Sequence, residues 1–265
     1  MQGRVLIIAG SDSGGGAGIQ ADIKTVTALG GFAMTALSAL TAQNTEGVIA
    51  IHEVPTDFIA EQMCVVLSDL GADAIKTGML HSSAVIETVS EILATVDAPI
   101  VVDPVMVAKG GAALLLDEAV AAMKDRLIPM AHVLTPNVPE AETLTGITIT
   151  DRQSAEQAAK LLSDQGPRAV LMKGGHMSGE ADADTVTDLL FEDGKLIEAF
   201  SSPRLNTRHT HGTGCTLASA IATGLAQNLS VSDSVERARD YVWEAIRTAP
   251  GYGKGHGPLN HGHTL

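Results

Sequence analysis

The feature that most limits what this chain can fold into is a repeating unit. A short β-branched run is followed by a turn rich in Gly and polar residues, then by a longer stretch with apolar residues at helical intervals. Such alternation is the pattern of a mainly parallel sheet wrapped by helices, because parallel neighbours need a crossover between them. It predicts strands at residues 5–9, 33–39, 74–76, 100–102, 132–134 and 169–172, and helices at 18–29, 56–70, 82–95, 117–126 and 154–164. Later the pattern changes: "TVTDLLFEDGKLIEAFSS" holds two alternating strands around Asp193-Gly194, a hairpin turn that adds antiparallel edge strands. Helices at 213–227 and 231–249 follow, the last ended by Pro250 and Gly251, and the tail is too rich in Gly to be helical.

In an open parallel sheet, ligands bind outside the carboxyl ends of the strands. The turns "AGSDSGG", "KTGM", "DPVM", "TPN" and "KGGH" each follow a predicted strand and are expected to line one rim. A chain of 265 residues, 45% hydrophobic, with no linker or repeat, is expected to form one α/β domain over residues 1–265. Its formal charge of −14 argues against duplex nucleic acid or an anionic membrane surface as a partner. Any anionic ligand must therefore meet a local positive site. Cys64 and Cys215 form no disulfide framework or C-x-x-C pair, which fits a reducing cytoplasm. The N-terminal apolar run is too short for a signal peptide, and no stretch approaches the ~18 apolar residues of a spanning helix.

Five motifs can carry chemistry. "HGTGCTLASAIATG" joins a Gly-Thr-Gly turn to a predicted helix, where free N–H groups and the helix dipole suit a phosphate. "GSDSGGGAGIQAD" is neither a Walker A loop nor a dinucleotide fingerprint, since it lacks Gly-Lys-Ser/Thr and has Ile19 where the last Gly would stand. It remains a loop whose backbone can approach a ligand, followed by Asp22 on a helix; the ordinary alternative is a capping Ser or Asp with a solvated Asp22. "TPNVPEAETL" puts Asn137 and Glu140 three apart, suited to hydrated magnesium or simply to starting a helix with Pro139 at its first position. "VVDPVM" sets Asp103 at a strand end, and "LMKGGH" brings Lys173 there with a charge for phosphate. His209 and His211, like His261 and His263, are two apart but lack the Cys or carboxylate partners of a zinc site.

Taken in order, "AGSDSGGGAGIQADIKT", "TALTAQNTEGV", "IKTGML", "VVDPVMVAKGG", "LTPNVPEAETL", "VLMKGGH", "HGTGCTLASAIATGLA" and "GHGPLNH" resemble the hydroxymethylpyrimidine kinase/phosphomethylpyrimidine kinase family of thiamine biosynthesis, from about Val5 to His261. The resemblance implies a ribokinase-like three-layer α/β fold and transfer of the ATP γ-phosphoryl to 4-amino-5-hydroxymethyl-2-methylpyrimidine, then to its monophosphate. It implies that Gly10, Asp22 and Gln43 bind the pyrimidine beside Met79 and Val105, and that Lys173 meets the ATP phosphates with Asn137. Asn137, Glu140 and Asp103 are implied around Mg2+, and Gly212, Thr213, Gly214 and Cys215 form an anion hole with Cys215 as base. A homodimer is implied as well.

A thiol is a weak base unless the helix start lowers its pKa. A mostly neutral thiol would, however, tolerate both the alcohol and the anionic monophosphate, where an Asp would repel the second. The nearest rival function is a pyridoxine or pyridoxal kinase. A non-catalytic pyrimidine sensor and a dehydrogenase stand behind it. Residues 108–112 and the hairpin at Asp193-Gly194 are candidates for motion over the site.

Overall fold

The computed structural model describes residues 1–107, 111, 114–174 and 184–265. The strands are β1 (Arg4–Ala9), β2 (Phe32–Leu37), β3 (Ala39–Gln43), β4 (Val48–Glu53), β5 (Ala74–Thr77), β6 (Ile100–Val102), β7 (Val133–Leu134), β8 (Ala169–Met172), β9 (Thr185–Glu192) and β10 (Lys195–Pro203). The helices are α1 (Gly18–Ala28), α2 (Thr56–Asp69), α3 (Ser83–Leu93), α4 (Asp117–Ala122), α5 (Val138–Thr145), α6 (Arg152–Ser163), α7 (Thr213–Ala226) and α8 (Val231–Arg247).

Eight strands form one sheet in the order β10-β9-β8-β7-β6-β5-β1-β2. β2 through β8 in that order pair in parallel, and β9 and β10 add an antiparallel edge. Because side chains alternate across the sheet, Val5 and Ile7 pack toward α1, α7 and α8, while Leu6 and Ile8 pack toward α2, α3, α5 and α6. Both faces of the parallel strands are thus covered, which is why those strands read as unbroken apolar runs. The result is a three-layer α/β/α sandwich.

The chain leaves β1 for β2 on one side and later returns to β5 on the other. Such a reversal opens a crevice outside the strand ends, here beyond Ala9 and Thr77. The expected hairpin is present, with Asp193 and Gly194 both at positive φ, 48° and 69°, as a type I′ turn demands.

Four elements depart from the sequence reading. The expected strand 33–39 stops at Leu37, because Ser38 turns inward and its hydroxyl donates to the Met79 carbonyl at 2.6 Å. From Ala39 the chain enters a separate β3–β4 ribbon that the sequence reading left without strands. The helix expected over 117–126 widens into a π-helical turn at Met123–Leu127 and tightens at Ile128–Met130, where Pro129 withdraws a donor. Residues 138–145 form α5, with Asn137 as N-cap and Pro139 at the second helical position, not the first. Apart from Gly111, the loop 108–112 lies outside the described residues, as do Gly175 and His176 of "KGGH".

Candidate active site

A cavity of about 1150 Å³ opens along the carboxyl ends of the parallel strands. Gly10 and Asp12 reach it from the end of β1, Met79 from β5, Asp103 and Val105 from β6, Asn137 and Glu140 from β7, and Lys173 from β8. Gln43 at the end of β3 and Gly212 to Cys215 at the start of α7 complete the wall.

Gly212 sits at φ +88° directly before α7, and a Cβ there would overlap the Gly16 carbonyl oxygen. Only glycine fits. α7 has no side-chain cap, so the amides of its first turn, Gly214 and Cys215 among them, face the cavity as donors. A Cβ placed on Gly214 would lie 3.5 Å from both Asp103 Oδ2 and Lys173 Nζ, so the helix start and the charged cluster converge on one place. The tail motif anchors this corner: the His211 amide donates to the Gly257 carbonyl at 3.1 Å, and His261 Nε2 lies 2.9 Å from Thr216 Oγ1. Burial lowers the His261 pKa to about 4, so the ring is neutral and donates through Nε2, while Thr216 donates to the Gly212 carbonyl.

Lys173 Nζ lies 3.0 Å from Asp103 Oδ1 and 3.7 Å from Glu140 Oε2. Burial opposes its charge, but Asp103 and then Glu140 hold its pKa above the ordinary value. Glu140 is pushed up to about 7 by burial, with Asp103 adding like-charge repulsion and Lys173 opposing both. Asn137 and Glu140 form a complete capping box: Asn137 Oδ1 accepts from the Glu140 amide at 2.9 Å and Glu140 Oε2 from the Asn137 amide at 2.8 Å. The ordinary helix-start reading is therefore correct, and it coexists with a place on the cavity wall. The capping amide oxygen is spoken for by the helix, so Asn137 serves first to aim Glu140.

Asp22 is a correction. It is fully buried and does not line the cavity; its carboxylate accepts from Lys76 Nζ at 3.0 and 2.9 Å and from Ser219 Oγ at 2.7 Å. Lys76 lies equally buried on β5 at the cavity floor, its charge reinforced against burial by Asp22 first and also by Asp103. Sequence periodicity located Asp22 on α1 but carried no sign of this partner 54 residues away.

The Cys215 expectation also changes. Burial pushes its thiol up to about 12, and Lys76 and the Gly18 amide only partly offset that. The helix start does not win, so the thiol is neutral at pH 7.

Asp12, weighed in the sequence only as a cap, organises the glycine loop by accepting from the amides of Gly14, Gly16 and Ala17 at 2.8–3.0 Å. His211 Nε2 lies 2.8 Å from the same carboxylate and so ties this loop to the start of α7. Beside them Ala39, Met79 and Leu114, with Val48, Ile51 and Val105 packed against them, form an apolar wall. At the far end Arg239 pairs with Asp188 at 3.0 Å, and Asp188 also accepts from the Gly174 amide at 2.7 Å. These two fix the edge strands to the end of β8, and neither stood out in the sequence.

The model of the phosphomethylpyrimidine kinase family matches residues 12–260. Over 261 residues the chain is 49% identical to the hydroxymethylpyrimidine/phosphomethylpyrimidine kinase of Streptomyces coelicolor, covering 98% of this chain and 95% of that one. It is 52% identical over 261 residues to the thiamine biosynthesis bifunctional protein ThiED of Geobacter sulfurreducens, covering 98% of this chain but only 52% of that larger protein. Among solved structures, the pyridoxal kinase of Staphylococcus aureus in complex with ADP is 34% identical with a TM-score of 0.89, over 99% of this chain and 94% of that one. The phosphomethylpyrimidine kinase of Clostridium difficile is 39% identical with a TM-score of 0.81, over 92% of this chain and 99% of that one. With a family match over nearly its whole length and the ribokinase-like architecture of these kinases, the chain belongs to the phosphomethylpyrimidine kinase family.

Proposed function

We propose that this protein uses ATP to phosphorylate 4-amino-5-hydroxymethyl-2-methylpyrimidine to its monophosphate and then to the diphosphate, within thiamine biosynthesis. One observation carries the reading: the uncapped amides of Gly214 and Cys215, Lys173 and Asp103 converge at one end of a cavity whose acceptor side is Gln43 and an apolar wall. The pyrimidine lies between Gln43, Gly10, Met79 and Val105. Asp22 supports it from beneath.

The nucleotide runs along the ends of β7 and β8 toward Arg239, with Lys173 and the Asn137 segment at its phosphates. Phosphoryl transfer needs alignment and charge stabilisation more than covalent help. The α7 amides meet the charge that develops on the moving phosphoryl group. Cys215 stands where the acceptor hydroxyl releases its proton, as a neutral group that leaves room for an anionic acceptor.

The donor set fits Mg2+. Asp103 and Glu140 supply hard carboxylate oxygens, both within 4 Å of the single ammonium of Lys173. When bound beside the phosphates, Mg2+ would neutralise charge on them. Residues 1–265 act as one kinase domain, a reading supported by the continuous eight-stranded sheet. We further assign a cytoplasmic homodimer: both cysteines are free, and Leu40, Ile49, Phe58 and Val65 expose apolar surface along β3, β4 and α2. No described helix is long and apolar enough to cross a membrane.

A vitamin B6 kinase is the second reading, favoured by the 34% identical pyridoxal kinase structure. Product analysis with ATP, Mg2+ and either acceptor decides between them. Diphosphate formed from the pyrimidine supports the proposal; pyridoxal turned over with the higher kcat/KM overturns it. Pyrimidine binding with no ATP consumption would leave only a sensor.

A further inference from the structure

Where the ladder between β8 and β9 ends, a side chain takes over from the backbone. The two strands pair antiparallel from Ala169 opposite Glu192 to Met172 opposite Leu189, and the next pair would set Lys173 opposite Asp188. The chain instead peels away after Met172, and the Gly174 amide donates to Asp188 Oδ1 at 2.7 Å. On the other side the Lys173 amide donates to the Pro136 carbonyl, just beyond β7, at 2.9 Å. Two hydrogen bonds to different elements therefore bracket the Lys173 backbone.

A carboxylate in this place needs support, because Asp188 is buried. Burial pushes its carboxyl up, and Arg239, then the Gly174 amide and Lys173, work against that. Arg239 Nη1 lies 3.0 Å from Asp188 Oδ2. The same guanidinium, reaching from α8, donates to the carbonyls of Val186 on β9 and Phe200 on β10 and to Ser202 Oγ. One oxygen of Asp188 is thus held by a rigid fork, and the other is aimed at the turn behind Lys173.

We propose that Asp188, anchored by Arg239, is a positioning residue that fixes the backbone of Lys173 and thereby sets how tightly the nucleotide phosphates are bound. The inference rests on the functional reading above, in which Lys173 meets those phosphates. The Lys173 ammonium lies 3.0 Å from Asp103 and 3.7 Å from Glu140, so a phosphate must share its charge with two carboxylates. A lysine stem is flexible, and where its charge rests depends on where its root is held. With the root pinned, the ammonium stays at the cavity wall; with the root loose, it retreats onto the carboxylates and the phosphate loses its partner.

The test compares two forms of the full chain, Asp188→Asn/Arg239→Met and Asp188→Ala/Arg239→Met. Neither strands a buried charge, both lack the guanidinium, and only the Asn form can accept from the Gly174 amide. Calorimetric titration with Mg2+ and the non-hydrolysable analogue AMP-PCP should give a Kd about tenfold weaker for the Ala form than for the Asn form. The Kd for the hydroxymethylpyrimidine should agree between the two within about twofold, the spread that additivity allows for a distant site. Adding Lys173→Met to each form should shrink the AMP-PCP difference to about twofold or less, since a residue that acts through Lys173 then has nothing to act on. Asp188→Val/Arg239→Met takes the place of the Ala form if that chain does not fold. Equal AMP-PCP affinities in the Asn and Ala forms, or a difference that survives Lys173→Met, would overturn the inference alone. A wild-type chain that binds no AMP-PCP would overturn the functional reading and this inference together.

Discussion

Lys76 and Asp22 form a bidentate ion pair, 3.0 and 2.9 Å, with no exposed surface on either side chain. Removing one member strands the other as a buried charge. Lys76→Met and Asp22→Leu should each lower unfolding free energy by about 3–5 kcal/mol, and the double variant should recover much of the loss. Urea denaturation of the four proteins checks this. Additive losses in the double variant would show that the pair is not a unit.

Gly212 and Gly146 separate two uses of glycine. Both have positive φ, but a side chain at Gly146 meets nothing within 4 Å, whereas one at Gly212 collides with the Gly16 carbonyl. Gly146→Ala should cost about 1 kcal/mol of stability with unchanged kcat. Gly212→Ala should lower kcat roughly 100-fold by displacing the start of α7. Comparable kcat values in the two variants would contradict the assignment.

Burial keeps Cys215 protonated, while Cys64 lies exposed on α2. Iodoacetamide at pH 7.5 should label Cys64 alone, with Cys64→Ser leaving the chain unmodified in peptide mass analysis. Cys215→Asp should retain much of the first phosphorylation and suppress the second by about tenfold or more, since a carboxylate repels the monophosphate. Equal losses on both steps would remove the argument for a neutral group.

Glu140 makes stability depend on pH in a definite direction. Its folded pKa of about 7 lies above the ordinary 4.5, so between those values the folded chain binds the extra proton and stability falls as pH rises. Below 4.5 the contribution vanishes; above 7 the penalty is complete. Glu140→Gln keeps the capping box but removes the titration. Its stability relative to wild type should rise by on the order of 3 kcal/mol between pH 4 and pH 8. Calorimetry at those pH values, without nucleotide or metal, provides the comparison.

What could be read in advance follows the range of the interactions. The Asp193-Gly194 hairpin and the strand-end rim rest on local rules of twist, turn and alternation, so they were legible. The β3–β4 ribbon had a local signal that was passed over: Asn44 and Gly47 close its turn, the Asn44 side chain accepting from the amides of Glu46 and Gly47. The pairing of Asp12 with His211 joins residues 199 positions apart, and Arg239 with Asp188 joins elements whose periodicity is silent about each other. The direction of the Cys215 shift depended on how deeply α7 is buried, which spacing alone does not set.

Every residue of α7 from Thr216 to Ala226 is buried, and most are Ala, Gly, Ser or Thr. A helix so tightly enclosed cannot slide to accommodate a larger neighbour, so a substitution deep in its stem is felt at its tip. Laboratory selection for heat resistance along this stem would therefore be expected to select on turnover as well.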